Sequence, residues 1–533
     1  SFSATAAASE SGLQPAAAAQ QQPVKGTIVD VNGNPVPGAS VMIPGTTTGT
    51  VTQVDGTFSL NVAEGTKVEI GCLGYTTVTT TARNGMKVVL KEDAMMLSDV
   101  VVVGYGTQKK ANLTGAVASV NVGQALEGRP ISDVGRGLQG AAAGLNVRVG
   151  SNEVGSDPIL RIRGQVGSYN GASSPLILLD NVEIPSLNLV NPDDIESISV
   201  LKDAASASIY GAKAAFGVIL ITSKKGNKEA DKVTVSYSGN FSIQNKAKNY
   251  EMADVDGLHY TVEAAERTGI FTPVGAFWLI DRAGYNAAVA WKDKYGNSVG
   301  VGDPFTYGRD WYVDGSNKKI GIRTFNAYDY LVRENAPTQS HNVSVAGNKG
   351  RTNYNISLAY LDQNGMLKVT DYDWFKRYNA NARINTQIND WLNIHSGIMF
   401  TKSTKSWAFA TNSTTADVWY YVFRWGPTYP MEPTNEYGDN VRNAAYEFKT
   451  ANQATLDTYY TSVNVGTTIT PVKNWNIDVD YTYAVNNTQE RNPGIKYMAG
   501  DTWSDAVNAL DANGGIRTIT NEWNDINGLG KEI

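Results

Sequence analysis

The sequence has very few of the residues that build disulfides and metal sites. Its 533 residues include a single cysteine, Cys72, which excludes an internal disulfide and a paired-cysteine zinc site. The three histidines, His259, His341 and His395, lie far apart along the chain and show no metal-ligand spacing. We therefore expect neither a metal ion nor another cofactor.

Charge is also scarce. Charged residues make up 18% of the chain and the formal net charge is −6, which argues against a nucleic-acid-binding protein, because such proteins carry a basic face. No apolar run approaches the roughly 18 residues that a membrane helix needs. What is plentiful is glycine (52), tyrosine (27) and tryptophan (11). Glycine and aromatic residues with little charge are typical of membrane β-barrels.

The chain begins with two segments of different character. Residues 1–23 are mostly Ala, Ser and Gln, which predicts a flexible leader, or the mature end left after a secretory signal is removed. Residues 24–91 contain short apolar runs separated by turn signals such as Pro37–Gly38, Asp55–Gly56 and Asn84–Gly85. This spacing predicts about seven short strands in an immunoglobulin-like β-sandwich.

Residues 92–112 form a linker around a β-prone run. Val100–Val103 is predicted to be extended and has no obvious partner strand in the sequence. Such a segment can add itself to the edge of another protein's sheet through main-chain hydrogen bonds. The alternatives are a last strand of the sandwich or a simple linker.

Residues 113–230 predict a mixed α/β domain. Its last part begins with a strand around Ile198 and Val200 and closes with the buried strand Val218–Ile221. Between them we expect a short Ala/Ser helix over 204–209, which Asp203 caps and Gly211 ends. The Gly-rich loops before it lack the spacing of phosphate-binding motifs.

From residue 231 onward the pattern changes to long segments with a period of two. Tight turns at Asn348–Arg351, Asn389–Asp390 and Pro471–Lys473 alternate with long connections, which predicts an antiparallel outer-membrane barrel with the tight turns on the periplasmic side. The predicted strands are Val233–Asn245, Asn342–Ala346, Asn353–Leu361, Phe375–Ile388, Leu392–Thr401, Thr458–Ile469 and Trp475–Val485.

Several motifs resemble those of the SusC-like TonB-dependent outer-membrane transporters of Bacteroidetes. They are VVVVGYGTQKK (100–110), GLQGAAAGLNV (137–147), LRIRG (160–164), PLILLDNVEI (175–184), the stretch from Asn191 to Gly226, RDWY (309–312) and APTQSHNVSVAGN (336–348). One departure is Asn181, where the family usually has glycine. The early β-sandwich resembles the carboxypeptidase-regulatory-like domain, which is not catalytic.

The resemblance implies a mainly β protein with the sandwich, an α/β plug and a barrel of about 22 strands when complete. Only 302 residues follow Asp231, room for the first seven or eight strands, so we expect the N-terminal part of a longer chain or completion by a second polypeptide. The resemblance also implies a TonB box over residues 99–105, and ligand contacts from plug loops and extracellular loops. The box is Asp99, Val100, Val101, Val102, Val103, Gly104 and Tyr105, and the ligand-binding candidates are Asn152, Asp157, Gln165, Tyr169, Asn170, Trp407, Trp419, Tyr421 and Trp425.

The resemblance also implies a function and partners. We expect active import of an oligosaccharide or oligopeptide across the outer membrane of a Gram-negative bacterium, and no enzymatic activity. The implied partners are TonB with ExbB and ExbD, a SusD-like lipoprotein lid, outer-membrane lipid, and a second transporter–lipoprotein pair in a dimer, with no nucleic acid. The alternatives are a surface receptor or adhesion scaffold that does not transport, and import of a small chelate or cofactor.

Overall fold

The computed structural model describes most of the chain after residue 22. The described residues are 23–31, 33–44, 46, 48–72, 75, 77–90, 100–103, 106–109, 117–121, 133–149, 153–164, 174–226, 231–246, 253–269, 281–409, 426–472, 475–500, 518–523 and 526–532. They fall into two compact units, residues 1–113 and residues 114–533.

The first unit contains the predicted sandwich. Its core includes Ile28, Val41, Ile70 and Leu90, none of which is exposed, because alternate residues of both sheets point between them. One sheet has the order β4–β1–β7 and the other β3–β2–β5–β6. The seven strands are β1 (Val24–Val29), β2 (Ser40–Met42), β3 (Gly49–Val51), β4 (Thr57–Leu60), β5 (Lys67–Gly71), β6 (Val78–Thr81) and β7 (Met86–Val89).

A hairpin follows the sandwich in the same unit. Strand β8 (Val100–Val103) pairs antiparallel with β9 (Gly106–Lys109), with Val103 opposite Gly106. The expectation that Val100–Val103 lacks a partner strand is therefore wrong. A two-residue connection that contains a glycine separates two β-prone runs, and this spacing is typical of a local hairpin.

The second unit begins with the plug, residues 114–226. Its main sheet has the order β10–β15–β16–β13–β14, and a separate pair joins β11 to β12. The strands are β10 (Val117–Asn121), β11 (Leu145–Arg148), β12 (Ile159–Ile162), β13 (Leu176–Leu179), β14 (Val182–Glu183), β15 (Ile195–Leu201) and β16 (Val218–Ser223), and the helices are α1 (Val134–Gly137), α2 (Ala204–Ala207) and the 3₁₀ turns Leu187–Leu189, Pro192–Asp194 and Ser208–Ala214.

The helix between β15 and β16 starts as predicted. The carboxylate of Asp203 accepts a hydrogen bond from the amide of Ser206 at 2.8 Å, which caps the first turn. The predicted end is also observed. The α-helix stops at Ala207, a 3₁₀ turn continues from Ser208, and Gly211, with a non-helical backbone (φ 63°, ψ −148°), separates that turn from the next one, which ends at Ala214.

The wall that follows is one antiparallel sheet of eight strands in the order β17–β20–β21–β22–β23–β24–β25–β28. In the part of the chain that the structure describes, β17 and β28 do not pair with each other, so the barrel is incomplete in this chain. The wall strands are β17 (Lys232–Asn245), β20 (Asn335–Lys349), β21 (Thr352–Asn364), β22 (Trp374–Asn389), β23 (Leu392–Phe409), β24 (Asn452–Val472), β25 (Trp475–Asn492) and β28 (Ile526–Glu532).

The tight turns of the wall lie on one side, here the turn side, and the long connections on the other, the loop side. The loop-side connections contain folded structure of their own. They hold β18 (Trp311–Val313), β19 (Lys319–Gly321), β26 (Ile495–Gly500), β27 (Thr518–Trp523), α3 (Val255–Thr268), α4 (Arg282–Tyr295), α5 (Ala327–Leu331) and α6 (Ala444–Thr450). None of the helices within the described residues is long and apolar enough to cross a membrane.

Candidate functional site

The two faces of the wall differ sharply in chemistry. One face contacts the plug and is called the inner face. Its middle rows carry mostly polar side chains, among them Asn342, Asn379 and Thr401. The alternate residues form an apolar, exposed outer face with Val343, Ile356, Leu358, Ile384, Ile398, Phe400, Val463 and Val465.

Aromatic residues border the outer apolar band. Tyr360, Tyr378 and Tyr459 lie in one row across β21–β24 towards the loop side, where the register places Lys402 between the last two. Trp391 and Trp475 lie at the tight turns and are exposed. An apolar band between two aromatic rows is typical of membrane-spanning strands, because tyrosine and tryptophan favour the interface between lipid and water.

The inner face binds the plug through a buried arginine. Arg377 on β22 is 2% exposed, and its Nη1 donates to the carbonyl oxygen of Asn188 in the plug at 2.7 Å. Its Nε donates to Oδ1 of Asn379 at 3.0 Å. Asn379 Nδ2 and Thr401 Oγ1 both donate to the carbonyl oxygen of Leu189, at 2.8 and 2.9 Å. We call these contacts the seal.

Three plug carboxylates interact electrostatically with Arg377: Asp133, Asp194 and Asp157. Asp133 is 4% exposed and also pairs with Arg136 at 2.9 Å. Burial raises the pKa of the Asp133 and Asp194 carboxyl groups above their ordinary value, and hydrogen bonds to each carboxylate oppose that rise. Asp194 accepts a hydrogen bond from Asn381 of the wall. The plug therefore carries negative charge around the wall's buried cation.

A second plug contact lies nearer the loop side. Lys405 Nζ on β23 pairs with Glu153 Oε2 at 2.6 Å and lies 5.8 Å from the ring centre of Trp407. Next to this pair, Gly155 has a φ of 70° and packs against the Phe375 ring so closely that a Cβ there would overlap it. This position needs glycine for both conformation and space.

A third contact lies nearer the turn side. Asp180, which follows β13, pairs with Arg383 of β22 at 2.8 Å. Asp180 and Asn181 both take left-handed φ values, 51° and 70°, in the two-residue turn between β13 and β14. Asparagine adopts this conformation more readily than other non-glycine residues, which explains how Asn181 replaces the glycine usual in the family.

The RDWY motif lies at the centre of the loop-side structure. Asp310 is fully buried and accepts from the Trp291 indole at 3.1 Å. Arg323, 2% exposed, contacts both Asp310 (3.3 Å) and Glu432 (3.1 Å), and the Tyr330 hydroxyl donates to Glu432. Burial and this carboxylate raise the pKa of Tyr330 above its usual value. The network joins the connection before β20 to the connection before β24.

Of the ligand-binding candidates, the structure describes Asp157 and Trp407. The Asp157 carboxylate accepts from the Asn188 amide at 3.3 Å, and its side chain remains exposed. Trp407 lies half-buried on the inner face beside Lys405. Ligand binding by either stays a prediction. Asn152, Gln165, Tyr169, Asn170, Trp419, Tyr421 and Trp425 lie outside the described residues, as do Asp99, Gly104 and Tyr105 of the TonB box.

Sequence reasoning missed the residues of the seal. Arg377 is a charged residue at an inward position of β22, a strand in which inward and outward residues alternate. A charge at such a position is the signal that would have singled it out. Among the residues that the structure describes, no group of three or more His, Cys, Asp or Glu side chains is placed to hold a metal ion.

Comparison with known proteins agrees with this architecture. The CarboxypepD_reg-like domain family matches residues 24–102, and the TonB-dependent Receptor Plug Domain family matches residues 109–218. The TonB-dependent receptor SusC of Bacteroides thetaiotaomicron is 33% identical over 375 residues, which cover 69% of this chain and 32% of SusC. The chain belongs to the SusC-like TonB-dependent receptors.

Two further relatives extend the comparison. TonB-dependent receptor P39 of Formosa agariphila is 40% identical over 228 residues, which cover 42% of this chain and 22% of P39. The structure of the RagAB peptide importer in its open-open state superposes with a TM-score of 0.53 at 25% identity, and covers 76% of this chain and 44% of that one. The chain thus spans a third or less of the curated relatives that it matches.

Proposed function

We propose that this SusC-like chain supplies the plug and the first wall strands of a TonB-dependent importer for an oligomeric nutrient, either an oligosaccharide or an oligopeptide. The observation that carries the proposal is the kind of contact between plug and wall. The plug has its own apolar core, to which the wall adds the buried Tyr460 and the partly buried Met399 and Ala484. A small apolar cluster also joins Val154 of the plug to Leu361 and Phe375 of the wall. The seal and the ion pairs, which make up the other contacts described above, are polar.

Polar contacts of this kind make the plug displaceable. Water can replace a hydrogen bond to a backbone carbonyl, so each such bond contributes only about 0.5–1.5 kcal/mol to holding the plug, and about 1.5–3 kcal/mol where the donor is charged. Separating two apolar cores would instead expose area to water at about 25 cal/mol per Å². A pull on the plug therefore meets a limited barrier and leaves the plug's own core intact.

The energy would come from TonB, with ExbB and ExbD, which binds residues 99–105 by strand addition. β8 pairs with β9 along one edge, so TonB would add to its other edge or displace β9. A SusD-like lipoprotein would cover the loop side, and two such pairs would form a dimer. The likeness to the RagAB peptide importer supports an oligopeptide cargo, and no step requires an enzyme.

The test removes the TonB segment from the full-length receptor in its native host. Deletion of residues 95–106 is expected to abolish growth on the nutrient that a knockout strain fails to use, screened among oligosaccharides and peptides as sole carbon source. Binding of that nutrient to the cell surface is expected to persist. Deletion of the twelve residues 9–20 in the leader is the matched control and should leave growth normal.

Three results would contradict the proposal. Normal growth of the 95–106 deletion refutes the TonB-box assignment. A knockout that grows on every nutrient but adheres poorly to a surface identifies a scaffold. A growth defect that iron or a vitamin in excess repairs identifies a small-chelate or cofactor importer.

A further inference from the structure

One lysine on the outer face of the wall lies at the border of the apolar band. Lys402 on β23 is directly opposite Tyr378 of β22 and Tyr459 of β24, within the row of tyrosines described above. Its ammonium nitrogen lies 5.5 Å from the centre of the Tyr459 ring. The next outer-face residue of β23 towards the turn side is Phe400, which is 39% exposed. Lys402 therefore marks the level at which the outer face changes from apolar to polar.

Lys402 has no anionic partner in the part of the chain that the structure describes, since it forms no salt bridge there. On the opposite face of the same strand, by contrast, Lys405 pairs with Glu153 at 2.6 Å. The outer-face carboxylate of β24 one row further towards the loop side is Asp457, and it accepts a hydrogen bond from the hydroxyl of Thr404. The N–H groups of Lys402 are thus available to an acceptor from outside the chain.

The apolar band determines the level at which that acceptor lies. A lysine ammonium is costly in hydrocarbon, so a long side chain near the end of a membrane-spanning strand extends to the interface. For Lys402 the nearer interface is the one on the loop side, because the exposed apolar residues Phe400 and Ile398 follow towards the turn side. The ammonium group is therefore at the level of the lipid headgroups.

A second lysine lies one row further towards the loop side. Lys376 of β22 is opposite Thr404, which makes it a diagonal neighbour of Lys402, with their Cα atoms roughly 8 Å apart for regular strand spacing. Lys376 Nζ is 3.8 Å from the carboxylate of Asp362, and the same carboxylate oxygen accepts from the Tyr360 hydroxyl at 3.0 Å. Because this ion pair is long and shared, Lys376 can provide a second cation to a ligand held by Lys402.

These groups suit a phosphate. Lysine binds phosphate as a compact point charge, and phosphate is the anion that membrane lipids carry at the headgroup level. The hydroxyl of Tyr459 has no hydrogen-bond partner among the described residues, so it can donate to a phosphate oxygen, while the ring offers apolar surface to an acyl chain. A free anion from water would have to displace lipid to reach this face, which favours a headgroup.

We propose that Lys402, together with Lys376 and Tyr459, binds the phosphate headgroup of a lipid in the leaflet on the loop side. The inference depends on the membrane-spanning wall and not on the nutrient that is imported. The bound headgroup attaches β22, β23 and β24 to that leaflet. Two of these strands, β22 and β23, carry the seal on their inner face.

The test measures lipid retention by the full-length receptor in a non-ionic detergent, with native mass spectrometry as the readout. The probe is dioleoylphosphatidylglycerol, and dioleoylglycerol has the same acyl chains without the phosphate. We expect retention of the first lipid alone. Lys402→Gln should weaken this retention about fivefold, the contribution of one lysine at an anionic lipid surface. Lys402→Arg keeps the charge and should bind like wild type.

Two more variants accompany this test. Lys376→Gln should weaken retention by a smaller factor, about twofold, because Asp362 already offsets part of its charge. Lys318→Gln is the matched control, because it removes an exposed loop-side lysine outside the wall, and it should bind like wild type. A thermal melt of each variant without added lipid checks that the fold is intact.

Four results would overturn the inference. Retention of phosphatidylglycerol that is unchanged in both folded variants, Lys402→Gln and Lys376→Gln, or absent in wild type, refutes the site. An equal loss in Lys318→Gln shows an effect of total charge. Displacement of the lipid by excess inorganic phosphate identifies a site for a free anion. A larger loss in Lys349→Gln, at a tight turn, places the anionic lipid on the turn side.

Discussion

Replacing Arg377 by methionine is the sharpest test of how the plug is held. The substitution keeps a flexible, unbranched side chain but removes the charge, the hydrogen bonds to Asn188 and Asn379, and a cation that interacts electrostatically with Asp133 and Asp194. Removal of one partner from a buried ionic group costs about 3–5 kcal/mol. Asp133 keeps Arg136 and Asp194 keeps Asn381, so we expect the lower end, about 3 kcal/mol.

The measurement is pulse proteolysis of the full-length, detergent-solubilised receptor in urea, with trypsin cleavage of the plug as the readout. With a urea slope of about 1–3 kcal/mol per M, the midpoint should fall by roughly 1–3 M. Arg377→Lys keeps the charge, but its single nitrogen cannot reproduce the two-pronged contact, so an intermediate midpoint is expected. Arg351→Met, at an exposed turn arginine 3.4 Å from Asp390, is the control and should change the free energy of unfolding by less than about 0.5 kcal/mol.

The pH dependence of the loss of stability in Arg377→Met is a second test of the role of this arginine. The folded-state pKa values of Asp133 and Asp194 are raised, so folding is favoured when these groups are protonated and loses stability as the pH rises through their pKa. Without Arg377 the pKa of both groups rises further, so the destabilisation should be larger at pH 7.5 than at pH 5. An Arg377→Met receptor that unfolds like wild type, or whose loss is the same at both pH values, would refute the role assigned to this arginine.

Three further predictions concern the turn and the loops. Asn181→Gly should leave plug stability within about 0.5 kcal/mol, and Asn181→Val should cost about 1–2 kcal/mol because of its positive φ, both measured by the same proteolysis. Burial raises the pKa of the Asp373 carboxyl to about 6, so its stabilising contribution is present at low pH and is lost as the pH rises through 6. Asp373→Asn should remove this pH dependence and, in a thermal melt at pH 7.5, raise the free energy of unfolding by up to about 3 kcal/mol. Glu432→Gln leaves Arg323 with Asp310 as its remaining carboxylate and should cost about 2–4 kcal/mol, seen as faster clipping within residues 281–334. Unchanged clipping would contradict the structural role of that network.

The wall strands could be predicted from sequence because each has one polar and one apolar face. The middle of β22, for example, alternates between inward Asn379 and Asn381 and outward Ala380 and Ala382. The ends could not be placed, and the strand over 392–401 continues to Phe409, because near the loop side both faces carry polar and aromatic residues and the alternation fades. Helices α3 and α4 lie between β17 and β20, where the sequence analysis predicts only a long connection.

The partners of Arg377 in the seal could not have been predicted from sequence alone. Arg377 meets backbone groups almost two hundred residues earlier in the chain, and its partner at Asn188 is a carbonyl oxygen, which any residue type provides. Helix α2 of the plug could be predicted because Asp203 and Ser206, which form its cap, lie three positions apart in the sequence. The RDWY motif could be found in the sequence by its resemblance to the family. Its contact with Arg323 and Glu432 could not be predicted, because those residues come together only in the fold.

The strict alternation of the wall also determines how the gene tolerates insertions. One extra codon after Ala380 would leave Arg377 and Asn379 where they are but turn Asn381 and Arg383 toward lipid and Ile384 toward the plug. Two extra codons would restore the facing of every later residue in the strand. In a library of in-frame insertions across β22, surface expression should therefore be lower for an odd number of inserted codons than for an even number, whereas insertions between β23 and β24 should show no such difference.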